Sequence, residues 1–396
     1  MAQTWPVTRS KRITFAALDA VGGAIARLGR ALSPRHAIPP GDIRRILVVE
    51  PWHIGDVVLA TPLLRALRSR YPRAHISLLG KRHAEELLMH SGLVDEVIVF
   101  DFPWTATEKK YQLRRYDRQS FRALVARLRS GRFDLTIDSR MDIRSNLVTY
   151  LSGAPKRIGY RFGGGSFLLT DALPADPDAH HKVDDWLALL GPLDEAEAAA
   201  SNFRRDTETA ALKPLLRLSD AERELAREKF RSHGVDPGDL IIGVHPGASH
   251  PRRRWPLARF AAVAESLRSN YAARIVVFVD PSGWGADMPV HDGAFIRSSL
   301  RELMAAVAEC DLLLCNDSGP MHIADALGIP VVAVFTTGNP VWYRPWGEHQ
   351  LVVGRGTGHK SIGEPKVAEV QAAAEAQLAR VLENRRDAAA YGGIDF

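Results

Sequence analysis

Residues 44–80 read RRILVVEPWHIGDVVLATPLLRALRSRYPRAHISLLG, and this stretch decides the fold class. RRILVVE (44–50) is apolar on both alternating faces, as a strand covered on both sides must be. VVLATPLLRALRSR (57–70) carries a helical period, with Pro62 predicting a kink or a restart at Thr61. HISLLG (75–80) is a second buried strand. A parallel pair joined by a crossover helix is the simplest structure consistent with that order.

The same grammar continues in EVIVF (96–100) and DLTIDS (134–139). It returns in LIIGVHPG (240–247), a helix over 257–271, RIVVFVD (274–280), a helix over 300–310, DLLLCN (311–316) and PVVAVF (330–335). The sequence is 396 residues long, too long for one core, so two doubly wound α/β domains are predicted. The aperiodic segment 195–214 is the expected linker, and 367–386 is a strong helix.

Composition is that of a globular protein, 46% hydrophobic and 25% charged. Cys310 and Cys315 are the two cysteines; they make no disulfide framework, and a reducing cytosol is the simplest compartment. Of the net charge of +6, residues 1–43 hold Arg9, Lys11, Arg12, Arg27, Arg30 and Arg35 against Asp19 and Asp42, which is six minus two, or +4. A basic patch on a folded face, as nucleic acid would require, is not the pattern. ITFAALDAVGGAIARL (13–28) is too short and too broken by Asp19 to span a bilayer. It reads equally as a basic amphipathic helix on an anionic membrane surface, through residues 1–35, or as a tail without a role.

Three stretches carry candidate chemistry. In PWHIGD (51–56), Asp56 opens a helix at a strand's carboxyl end, where a carboxylate serves either as a structural cap or as a general base. In HPGASHPRRRWP (245–256), Arg252, Arg253 and Arg254 leave a strand as a solvated loop or as a diphosphate clamp. In CNDSGPMH (315–322), Asp317 or Ser318 can cap a helix whose first turn accepts Pro320; that start is either an ordinary capped connection or an anion site. No GxGxxG follows the first strand, and neither a P-loop nor a DxD triplet is present. His180, His181, His245 and His250 complete no metal set, so no metal is expected.

With these stretches in hand, the chain resembles glycosyltransferase family 9, the ADP-heptose:lipopolysaccharide heptosyltransferases, over roughly residues 44–385. The resemblance rests on HIGDVVLATPLLRALRSRYP (53–72), FDLTIDSRMDIRSNLVTYLSGAPKRIGY (133–160), GVHPGASHPRRRWP (243–256) and CNDSGPMHIADALGIPVVAVF (315–335). It implies a GT-B type α/β fold: two Rossmann-like doubly wound domains facing across a cleft. The domains expected are a basic extension (1–43), an acceptor domain (44–205), a donor domain (206–365), and a C-terminal helix with tail (366–396) that returns to the first domain.

The resemblance also implies metal-independent, inverting transfer from a nucleotide diphosphosugar, with ADP-heptose the leading co-substrate and no further cofactor. Asp56 would deprotonate the acceptor hydroxyl. Arg253, Ser318, Gly319 and Pro320 would hold the diphosphate, with Asp317 and His322 shaping the donor pocket. Arg140, Arg144, Lys109 and Arg114 are candidates for an acidic, lipid-linked or polysaccharide acceptor at the inner face of the cytoplasmic membrane. The sequence departs from the family at Arg253, where a lysine is usual, at FTTGNP (335–340), and at DPSGWGADMPV (280–290). A nucleotide-sugar epimerase, or a binding protein that only kept the phosphate cradle, are the alternatives.

Overall fold

The computed structural model describes residues 19, 22–23, 43–105, 117–174, 180–193, 212–236, 238–347, 350–354 and 364–391. The chain divides into two compact units, Met1–Leu212 and Lys213–Phe396. Most of the expected linker lies outside the described residues.

The first unit contains strands β1 (Arg45–Val49), β2 (His75–Gly80), β3 (Glu96–Val99), β4 (Leu135–Asp138), β5 (Lys156–Tyr160) and β6 (Asp171–Leu173). They form one parallel sheet in the order β3-β2-β1-β4-β5-β6. Its helices are α1 (Ile54–Arg70), α2 (His83–Leu88), α3 (Arg118–Ser130), α4 (Ile143–Leu151) and α5 (Lys182–Ala188). Leu47, Val49, Leu79 and Ile98 pack beneath Leu124 and Leu128 of α3 and Val148 of α4. The alternate residues Ile46 and Val48 are buried as well, which is why β1 reads as an unbroken apolar run.

The second unit repeats this winding. Its elements are α6 (Asp220–Ser232), β7 (Ile241–His245), α7 (Leu257–Tyr271), β8 (Arg274–Val279), β9 (Ala294–Arg297) and α8 (Leu300–Ala308). They continue with β10 (Leu312–Asn316), α9 (Gly319–Ala326), β11 (Val331–Val334), α10 (Pro340–Tyr343), β12 (Gln350–Val353) and α11 (Val367–Tyr391). The sheet order is β12-β11-β10-β7-β8-β9, again all parallel. Successive residues of β10 feed opposite layers: Leu312 and Leu314 join the core beneath α7, while Leu313 and Cys315 join the one beneath α8 and α9. The last helix, α11, buries Val370, Ala374, Leu378 and Val381 in the core of this second sheet.

Two expectations are corrected. α1 neither stops nor restarts at Pro62 but runs through it. Proline cannot donate to the Val58 carbonyl four residues back, and the Thr61 hydroxyl bonds that carbonyl instead, at 2.6 Å. Four strands, β5, β6, β9 and β12, had no counterpart in the apolar pattern. β6 and β12 are edge strands with every residue half-exposed, and β9 is the opposite edge. β5 carries Arg157, buried, with its guanidinium bonding the carbonyls of Ala154 at 2.5 Å and Leu168 at 2.7 Å.

In each sheet the chain lays three strands to one side, then crosses to place the fourth beside the first. The reversal falls between β1 and β4 in one unit and between β7 and β10 in the other. Open α/β sheets take their ligands outside the strand carboxyl ends at this point, where the two diverging loops leave a gap.

Candidate active site

At the first reversal, β1 ends at Val49 and hands over to α1 through Glu50–His53. Asp56 is the third residue of α1 and is buried. It closes a capping box with His53, whose backbone N–H donates to Asp56 Oδ2 at 3.2 Å. The cap reading is therefore correct as geometry, but it leaves Oδ1 to another partner. Arg140 follows β4 and sends Nη1 to Asp56 Oδ1 at 2.7 Å. Arg140 is itself buried and lies over the Trp52 ring at 4.8 Å, a cation–π contact that fixes the guanidinium plane. Burial works against the Asp56 charge, but Arg140 and the His53 amide outweigh it and hold the carboxyl below its ordinary range. Asp56 is thus ionised at neutral pH.

Two more carboxylates share this spot. Glu50 is fully buried, receives the Ser139 hydroxyl on Oε2, and places Oε1 4.0 Å from Arg140 Nη1. Burial pushes its pKa up to about 7, with Asp56 adding to the effect and Arg140 opposing it. Asp138, the last residue of β4, accepts the Arg140 backbone N–H at 2.8 Å, and burial raises its carboxyl well above the usual range. Neither Glu50 nor Asp138 was singled out from sequence. The available signal was an acidic residue closing an otherwise apolar strand, as in ILVVE and LTID.

Beside Asp56, Lys81 follows β2 and donates to the Thr105 carbonyl at 2.9 Å, its ammonium pKa lowered by burial. Burial, with Lys81 and His53 nearby, also lowers the His83 pKa to about 4, so that imidazole is neutral.

The acceptor candidates divide. Arg140 is committed to the buried carboxylates rather than presented outward. Arg144 is half-buried, grips Asp142 through Nε at 2.9 Å and lies over Trp104 at 5.6 Å. Lys109 and Arg114 lie outside the described residues.

At the second reversal the chemistry is of the opposite sign. β10 ends in Asn316, and α9 begins after Ser318, which leaves the helix start without a side-chain cap. The Ser318 hydroxyl turns back to the Asn316 carbonyl at 3.2 Å. Pro320 occupies the first turn as expected, and His322, one turn in, is buried. First-turn amides at such a start attract an anion. Asp317 does not cap α9; it is buried and pairs with Arg253, Nη1 to Oδ2 at 3.4 Å. Gly338, in the FTTGNP loop, approaches so closely that a Cβ there would lie 2.1 Å from that same Oδ2.

The structure separates the three arginines. Arg252 is exposed, and its carbonyl accepts the Thr336 hydroxyl at 2.6 Å. Arg253 turns to Asp317. Arg254 stacks on Trp284 at 4.8 Å, donates to the Ala248 carbonyl at 3.0 Å and faces Asp280 at 3.6 Å. Asn316 ties the two loops together, its Nδ2 donating to the Pro246 carbonyl at 2.7 Å and its Oδ1 accepting the Trp255 N–H at 3.0 Å. Among the described residues no cluster of three or more His, Cys, Asp or Glu side chains could hold a metal ion.

Comparison with known proteins gives the family of the chain. The model of glycosyltransferase family 9 (heptosyltransferase) matches residues 121–289 and 293–369. Lipopolysaccharide heptosyltransferase 2 of Salmonella typhimurium is 28% identical over 338 residues, 82% of this chain and 92% of that protein. Among solved structures, a family 9 glycosyl transferase from Veillonella parvula matches with a TM-score of 0.70 at 25% identity, over 87% of this chain and 99% of that one. The ADP-heptose LPS heptosyltransferase II of E. coli matches at 0.67 and 25% identity, over 85% and 99%. The two-unit α/β architecture is the GT-B type. With the family's sequence pattern matching more than half of the chain, this chain belongs to glycosyltransferase family 9, the heptosyltransferases.

Proposed function

We propose that this glycosyltransferase moves a heptose from ADP-heptose to the core of a lipopolysaccharide or a related cell-surface glycan, by inverting displacement without a metal. The relatives' names supply the donor and acceptor classes, being heptosyltransferases of lipopolysaccharide and, in one case, of ADP-heptose. Membership of the family sets the epimerase alternative aside.

The single observation that carries the mechanism is Asp56, ionised and locked at a strand's carboxyl end by Arg140 and the His53 amide. A sugar hydroxyl is a very weak acid until its oxygen begins to bond to the anomeric carbon. A carboxylate of low basicity can take the proton only late, as that bond forms, so Asp56 acts on the transition state rather than on the resting acceptor. The departing diphosphate needs positive charge, which Arg253 and the uncapped start of α9 at Ser318, Gly319 and Pro320 supply without a metal. Arg144 is the described residue proposed to meet an anionic group of the acceptor.

No described helix is long and apolar enough to cross a membrane. Peripheral contact with the inner face of the cytoplasmic membrane through residues 1–35 completes the proposal. Of that segment, Asp19 is described, its Oδ1 accepting the Gly165 N–H at 2.7 Å and the Ser166 N–H at 3.1 Å.

The test is Asp56→Asn with ADP-heptose and a heptose-deficient core acceptor. Loss of a general base lowers kcat by about 10²–10⁴-fold. Donor affinity, read by calorimetry, stays within about twofold, because uniform binding is untouched. Turnover near that of the wild type removes Asp56 from the mechanism, and a product with the donor's own anomeric configuration removes inversion.

A further inference from the structure

We propose that Glu50 is a positioning residue that sets the base strength of Asp56 by competing with it for the single guanidinium of Arg140. The proposal rests on Asp56 as the base and adds a part to it that family membership does not supply.

The geometry is specific. Nη1 of Arg140 is placed against both carboxylates, 2.7 Å from Asp56 Oδ1 and 4.0 Å from Glu50 Oε1. Trp52 beneath the guanidinium and the Asp138 carboxylate on the Arg140 amide keep the arginine from following either partner outward. Glu50 Oε2 is anchored by the Ser139 hydroxyl, which also bonds the Val49 carbonyl at 3.0 Å. Oε1 receives no hydrogen bond among the described residues, so it is the oxygen aimed at the arginine. Protonated, Glu50 leaves the full cationic charge to Asp56, which is then at its weakest as a base. Ionised, it draws on the same charge and repels Asp56 directly, and Asp56 binds a proton more tightly.

The groups that face this pair are few. Arg140, Asp56 and Asp138 face Glu50, and His53, Lys81 and His83 face Asp56. Burial holds the His83 imidazole neutral, and burial raises the Asp138 carboxyl well above its usual range. Glu50, with its pKa pushed up to about 7, titrates in the neutral range. The proton it releases goes to solvent, and the acceptor proton goes to Asp56, so no further reactant is needed.

Single-turnover rates at saturating donor and acceptor, from pH 5.5 to 8.5, test this on the full chain. In the wild type the rate rises with pH through an inflection near 7. Glu50→Gln removes the inflection and lowers the rate at pH 8 by about three- to tenfold, as expected for a base weakened by roughly one unit, with KM for the donor unchanged. Ser139→Ala removes a hydrogen bond to the ionised form of Glu50, so its inflection moves to higher pH without being lost. This second variant keeps the test decisive if Glu50→Gln folds poorly. Superimposable profiles for wild type and Glu50→Gln overturn the proposal. So does a Ser139→Ala inflection that stays in place, or a Glu50→Gln loss that falls wholly in KM. Failure of Asp56 as the base shows separately, as turnover surviving in Asp56→Asn.

Discussion

The two sheets have the same strand order and the same reversal point, yet one collects acid and the other collects positive charge. At the first, Glu50, Asp56 and Asp138 surround one arginine in a buried pocket. At the second, Arg253 pairs with Asp317 and Arg254 faces Asp280 beside an uncapped helix start. Backbone topology creates both gaps and is neutral about what they do. On the proposed mechanism, the few residues just past each strand decide whether the gap removes a proton or receives a phosphate.

The sharpest way to break the contrast is Arg140→Met. It strips the first site of the guanidinium shared by Asp56 and Glu50 and leaves those buried carboxylates without their direct partner, which costs about 3–5 kcal/mol of stability. A melting temperature unchanged at pH 7.5 would mean that the arginine is not the keystone of that site.

A smaller effect separates Glu50 from Asp56. The folded pKa of Glu50 is raised from 4.5 to about 7, so its neutral form stabilises the fold below pH 4.5, and this contribution is lost as pH rises through 7. Glu50→Gln therefore gains stability relative to the wild type between pH 4.5 and pH 8, by about 1–3 kcal/mol. Denaturation curves at the two pH values measure it, and a gain of opposite sign would show that Glu50 is ionised in the fold throughout.

The mildest change falls on the second sheet. Arg253→Gln weakens donor affinity by about tenfold, near 1.4 kcal/mol, and slows single turnover by about three- to tenfold, because the diphosphate charge it meets grows as the leaving group departs. Equal affinity in the variant would move the diphosphate contact to Arg254.

Much of this was legible before any coordinates. β1, β2, β4, β7, β8, β10 and β11 are sandwiched between helices and had to be apolar on both faces, so the parallel sheets announced themselves. Asp56 and the α9 start were found because a cap residue after an apolar run is a local signal. The edge strands β6, β9 and β12 were not found, since strands exposed on one side tolerate polar residues, whereas the edge strand β3 was legible because EVIVF is almost wholly apolar. The function of Arg140 was hidden for a different reason. Its partners Glu50 and Asp56 lie in another part of the chain, and only the register of β1 against β4, Val49 opposite Asp138, brings them together. In the same way, RRRW cannot say which arginine turns inward until Asp317 and Asp280 are placed beside it.

Asn316 has a consequence for how a donor is captured. One amide side chain staples the loop after β7 to the strand that launches α9, so both walls of the proposed phosphate pocket share a single rigid support. An arriving nucleotide finds those walls assembled and spends little of its contact energy on ordering them. Selectivity for the sugar then has to come from residues outside the staple.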